Sequence, residues 1–98
     1  MRDGKKIVSL DVPHFAAWLA QQPPNKRYSF HSNDCATGQY LQAHGFTDVG
    51  TFSASVEGER SDGVRIRVLL GFEVSNALSR IGGNPTWGDA AEAIKRLL

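Results

Sequence analysis

The stretch Val64-Arg65-Ile66-Arg67-Val68-Leu69-Leu70 sets Val64, Ile66, Val68 and Leu70 on one side and Arg65 and Arg67 on the other. A two-residue period is the signature of a strand with one buried and one wet face. Upstream, residues 49–56 alternate as well, with Phe52, Ala54 and Val56 against Thr51, Ser53 and Ser55. Between the two runs lies Glu57-Gly58-Glu59-Arg60-Ser61-Asp62-Gly63, polar throughout and holding two glycines. The spacing therefore predicts a β-hairpin with residues 57–63 as its loop. That loop exceeds the tight two-residue kind, so the register stays open.

Helical periodicity surrounds this hairpin. Val12, Phe15, Ala16 and Leu19 form a stripe over about Val12 to Gln22, with Trp18 on its flank. Asp11 is placed to cap that helix, Pro13 suits its first turn, and Pro23-Pro24 ends it. A second helix is predicted from Asp34 to His44, capped by Asn33 or Ser32, with Ala36, Tyr40 and Ala43 on one side and Leu41 beside them. Gly45 supplies its left-handed terminator, and Phe46 folds back on Leu41. After Gly71, Val74, Ala77, Leu78 and Ile81 mark a third helix that ends at Gly82-Gly83. Thr86 caps a fourth, with Asp89 three residues on as its capping-box partner and Trp87, Ala90, Ala91, Ile94 and Leu98 along one face. The predicted fold class is α+β: four helices packed on a short antiparallel β-hairpin or small sheet, in a single domain spanning residues 1–98.

Composition narrows the function classes. Eleven basic residues face ten acidic ones in a chain of 98, with 41% hydrophobic content. Such balance provides no global pull on nucleic acid or an anionic membrane. Residues 28–63 are the acidic block, with five acids and one base. One cysteine makes no internal disulfide, and Met1-Arg2-Asp3-Gly4-Lys5-Lys6 leads into Ile7 and Val8 rather than a secretory apolar run. A cytoplasmic, membrane-free protein is the expectation.

Candidate chemistry is sparse. His14, His31 and His44 include no pair at the helical zinc spacing, so neither a metal nor any other cofactor is expected. Gly82-Gly83-Asn84-Pro85-Thr86 follows a helix rather than a strand and lacks the P-loop lysine, so it reads as a turn. Cys35 falls in the first turn of the second helix, where amides favour a thiolate. Asp34-Cys35-Ala36-Thr37-Gly38-Gln39-Tyr40 resembles the nucleophile helix of NlpC-type cell-wall peptidases. That family's mechanism requires a downstream histidine on the sheet. Here the downstream histidine is His44, nine residues along the same helix and about 13 Å away along its axis. Cys35 is accordingly read as a packing residue first and a nucleophile or redox-responsive thiol second.

A wider likeness runs through Phe15-Ala16-Ala17-Trp18-Leu19-Ala20-Gln21-Gln22-Pro23-Pro24, Asn33 to Leu41, and Pro85-Thr86-Trp87-Gly88-Asp89-Ala90-Ala91. These segments resemble small, functionally uncharacterised bacterial and phage proteins. The resemblance implies this helix framework and no activity. Taken together, a non-enzymatic protein-binding domain is the leading expectation, with a host protein or complex as its partner. A phage-borne inhibitor of a host defence complex, anti-CRISPR-like, is one concrete version. Glu57, Glu59, Arg60 and Asp62 at the hairpin tip and Arg65 and Arg67 on its outer face are the candidate partner-binding residues. Catalysis through Cys35 is the alternative, and a nucleic-acid module built on Arg65 and Arg67 is the third reading.

Overall fold

The computed structural model describes residues 6–28, 35–52, 54–82 and 84–98. Four strands and four helices follow in the order β1 (Lys6–Ser9), α1 (Val12–Ala20), α2 (Ala36–Ala43), β2 (Thr47–Thr51), β3 (Ser55–Glu59), β4 (Arg65–Leu69), α3 (Phe72–Ser79) and α4 (Trp87–Lys95). The α+β class holds, but the sheet is larger than a hairpin. It is mixed and four-stranded in the order β1-β4-β3-β2, with β1 parallel to β4 and the other pairs antiparallel.

The hairpin reading needs correction at both ends. Residues 49–56 are not one strand, because the backbone reverses after Thr51 and the Phe52 N–H donates to Ser55 O (2.9 Å). Glu57, Gly58 and Glu59, expected in a loop, form the middle and end of β3. The true tip is shorter. Arg60 N–H donates to Val64 O (2.8 Å), Gly63 N–H to Arg60 O (2.9 Å), and Gly63 takes the left-handed φ of 85°. That is a three-residue connection closed by a glycine bulge. Gly58 sits in the strand because Phe46 and Val49 press on it. A Cβ there would lie 3.1 Å from the Phe46 Cβ and 3.2 Å from the Val49 Cγ2.

Paired residues of neighbouring strands share a face, which sorts the sheet into two sides. Val68, Val56 and Ile66 point to the helices and join Phe15, Leu19, Tyr40, Leu41, Val74, Trp87 and Ile94 in one core. α2 lies on β2 and β3, α1 packs against α4, and α3 packs against α4. The row Ile7, Arg67, Glu57 and Gly50 runs across the other face. No described helix packs on that face.

Local signals place the helix ends. Asp11 accepts from the His14 N–H (3.1 Å) at the start of α1. α2 ends in the anticipated Schellman pattern, with Phe46 N–H on Leu41 O and Gly45 N–H on Gln42 O, both 3.1 Å, and Gly45 at φ 88°. Both halves of the Thr86–Asp89 capping box form at 3.1 Å. Asn33, Ser32 and Asp34, assigned to the start of α2, lie outside the described residues, as do His31, Ser53 and Gly83. Within them, Cys35 holds the N-cap position with no side-chain capping bond. Leu98, assigned to the buried face of α4, is exposed beyond the helix end.

One tether joins distant parts of the chain. Gly88 N–H donates to Pro24 O and Trp87 N–H to Lys26 O, both at 2.9 Å, while Tyr28 N–H reaches Pro85 O at 3.2 Å. The first amides of α4, which have no partner inside the helix, are thus satisfied by the segment following α1.

Candidate functional site

The open sheet face gathers three of the six predicted binding residues into one ion group. Register sets Glu57 directly opposite Arg67 and Glu59 opposite Arg65, so Arg65 lies diagonal to Glu57. Glu57 Oε1 accepts from Arg67 Nε (3.0 Å) and Nη2 (2.9 Å), and Glu57 Oε2 accepts from Arg65 Nε. Arg65 also donates Nη1 to Asp48 Oδ2 and Nη2 to the Asp48 carbonyl, both at 3.2 Å. Asp48 is brought there by an irregularity in the β2–β3 register between Thr47 and Gly50, where it adopts a left-handed φ of 49°. Aspartate tolerates that region better than most side chains.

Glu57 is 6% exposed, although it points away from the core. The guanidinium groups of Arg65 and Arg67 lie against it. A buried carboxylate is stable only when paired and hydrogen-bonded, and both conditions are met here. The hydrogen bond to Glu57, reinforced by the charges of Glu57, Asp48 and Glu59, raises the Arg65 pKa, so this guanidinium stays charged. Two cations and two anions make the group formally neutral.

Large apolar side chains surround it. Phe52 is 52% exposed and carries the Arg67 guanidinium 4.8 Å above its ring centroid. Phe52 was expected with the inward set. The reversal after Thr51 turns it out instead. Ile7, directly opposite Arg67 on β1, is 61% exposed, and Leu69 is 44% exposed. Asp48, Phe52, Ile7 and Leu69 were all missed as site residues. The opposed charges at 57, 65 and 67 were the signal available, and they become cross-strand neighbours only once 55–59 is read as a strand.

Arg60 and Asp62 do not join this group. They pair with each other across the turn, Arg60 Nη2 to Asp62 Oδ2 at 2.7 Å and Nε to Oδ1 at 3.1 Å, while Val64 N–H also reaches Asp62 Oδ1. Hydrogen bonding from Arg60 and then from the Val64 amide pulls the Asp62 pKa down to about 2. These two residues staple the turn.

No family model, curated protein or solved structure matches the chain.

Two further places bear titratable groups. Cys35 is half-buried, its Sγ 3.4 Å from Thr37 Oγ1, beside a cavity of about 60 Å³ shared with Tyr28 and Leu78. Desolvation, helped by Cys35 and Asp89, pushes the Tyr28 phenol up to about 12. Both described histidines stand at the other end of α2 from Cys35. His14 Nδ1 meets Tyr40 Oη at 2.5 Å, His44 Nδ1 meets the Tyr40 carbonyl at 2.7 Å, and the two imidazoles are 5.3 Å apart. Burial, then Asp11, raises the Tyr40 pKa. Among the described residues no group of three metal-ligating side chains forms, and no helix is long and apolar enough to cross a membrane.

Proposed function

We propose that this is a protein-docking domain whose binding surface is the open face of the sheet. The observation that carries the reading is the cluster of Ile7, Leu69 and Phe52, all exposed, around an arginine pair immobilised by a buried carboxylate. Exposed apolar groups close together on a sheet are favourable to bury against a partner. Arg67 is held by Glu57 and stacked on Phe52 while remaining a third exposed, so little side-chain entropy is lost when it engages a second carboxylate. Arginine and aromatic side chains prearranged in this way are the usual anchors of protein interfaces. The matching partner surface is apolar, with an acidic residue placed over Arg67.

The same geometry disfavours nucleic acid. Phosphate binding draws on unmatched positive charge, whereas Glu57 and Asp48 neutralise Arg65 and Arg67, and Glu59 adds a further acid to the face.

The test is affinity capture with Leu69→Ser and Arg67→Ala beside a helix-face control, Glu92→Ala. A partner lost by the two sheet variants and kept by the control supports the reading. Equal retention by all three moves the interface off the sheet.

A further inference from the structure

The two edges of the sheet differ. β2 is interrupted by the Thr47–Gly50 irregularity with Asp48 in left-handed geometry, a device that hinders strand-to-strand pairing. β1 has no such irregularity, and its one charged residue, Lys6, stands at its start. Its register on β4 is unbroken from Lys6–Ile66 to Ser9–Leu69, all four of its residues are exposed, and it holds neither proline nor acid. Leu10 N–H donates to Leu69 O (2.9 Å), so alternation turns the Val8 amide toward β4 and leaves the N–H and C=O of Ile7 and Ser9 on the free edge.

We propose that β1 is a self-pairing strand, joining two copies of the chain antiparallel into one continuous sheet. This goes beyond the docking reading and does not rest on it. The register that uses both outward residues sets Ile7 opposite Ser9 of the second copy and Val8 opposite Val8 of the second copy, about a two-fold axis. Charge selects the antiparallel sense. Lys6 begins the strand and Asp11 follows its end, so antiparallel pairing sets Lys6 opposite Leu10 of the second copy, one residue from Asp11 of that copy, whereas parallel pairing sets like beside like.

The helix side of the edge is also incomplete in one copy. Val8, Leu10, Leu41, Phe46, Ile66 and Val68 line an open groove of about 220 Å³, and Val8 is 37% exposed. A second β1 sets its own Val8 against this opening, and the grooves of the two copies meet on the same side of the joined sheet. A four-residue strand buries much less than the ~1,600 Å² of a standard interface, so the dimer is weak and depends on concentration.

The experiment is sedimentation velocity from low micromolar to millimolar protein, with amide exchange and mixed-label NMR at the upper end. Wild type should shift from monomer toward dimer. Ile7 and Ser9 amides should gain protection, with contacts appearing between Val8 methyls of different copies. Ile7→Pro removes an outward N–H without touching the β4 ladder and should weaken the dimer at least about tenfold. Lys6→Glu, which brings a like charge next to Asp11 of the second copy, should weaken it several-fold while leaving the unfolding midpoint nearly unchanged. A monomer at every concentration overturns the proposal. So does a dimer indifferent to both variants, or protection of Ile7 and Ser9 that arises only with a different protein bound.

Discussion

Replacing Glu57 by glutamine keeps the volume of the side chain and removes its charge from between two guanidinium groups. Breaking a fully buried ion pair costs about 3–5 kcal/mol. Here Arg65 and Arg67 are 29% and 34% exposed, so both recover part of their hydration when the carboxylate is gone. Glutamine retains one carbonyl acceptor but turns an amide donor toward the other arginine. The loss is then about one charge-assisted hydrogen bond plus a mismatched contact, roughly 2 kcal/mol. For a domain of this size the melting temperature should fall by about 10 °C. Urea unfolding should give the same value through a lower midpoint at unchanged slope. The companion variant, Glu57→Leu with Arg65→Met and Arg67→Met, replaces the whole group by apolar side chains and should be close to wild type in stability. A Glu57→Gln unfolding free energy within about 0.5 kcal/mol of wild type, the range of an ordinary surface change, would refute the account of a buried carboxylate holding two arginines.

Gly88→Ala should destabilise although alanine is the better helix former, because the new Cβ would lie 2.9 Å from the Pro24 carbonyl oxygen; about 1–3 kcal/mol by chemical denaturation is expected. Thr86→Ala removes the hydroxyl that accepts from Asp89 N–H and should cost about 1 kcal/mol, with no change in sheet chemical shifts. Titrated by NMR, the Asp62 carboxyl should protonate at about 2. Its pKa is lowered by folding, so its small contribution is present above the ordinary carboxylate range and lost as pH falls toward that midpoint. The Tyr28 phenol should ionise at about 12 by ultraviolet absorbance. Being raised, its contribution is complete below the ordinary tyrosine value near 10 and disappears as pH rises through the folded value.

Much of the helical framework was legible because its signals are local. Asp11, Gly45 and Thr86 each act on amides or carbonyls within a few residues, and all three do what their positions suggest. The sheet was less legible because its determinants are distant. Ile7 and Val8 alone hardly announce a strand, and β1 exists because β4, some sixty residues on, offers a parallel partner. Ser55-Val56-Glu57-Gly58-Glu59 carries glutamates and glycine, residues poor in strands. Glu57 is tolerated only because arginines stand opposite and diagonal to it, and Gly58 because Phe46 leaves no room for a side chain. Reading those five residues as loop displaced the turn and sent Phe52 to the wrong face. Arg65 and Arg67 were correctly turned outward, but the partners that define their role, Glu57 and Asp48, come from strands whose pairing cannot be seen one segment at a time.

The tether between Pro24–Tyr28 and Pro85–Gly88 has a bearing on the order of folding. During synthesis α1 emerges early, yet the segment that follows it finds its hydrogen-bond partners only when the start of α4 has been made. α1 itself packs against α4, and β1 waits for β4. The early part of the chain is therefore left unpartnered while the middle, with its adjacent β2, β3 and β4, is free to assemble. Once the chain has emerged to a point between Leu69 and Pro85, it should hold a formed antiparallel meander beside a loose α1, exposing the side chains of Phe15 and Leu19 to chaperones until the last helix closes over them.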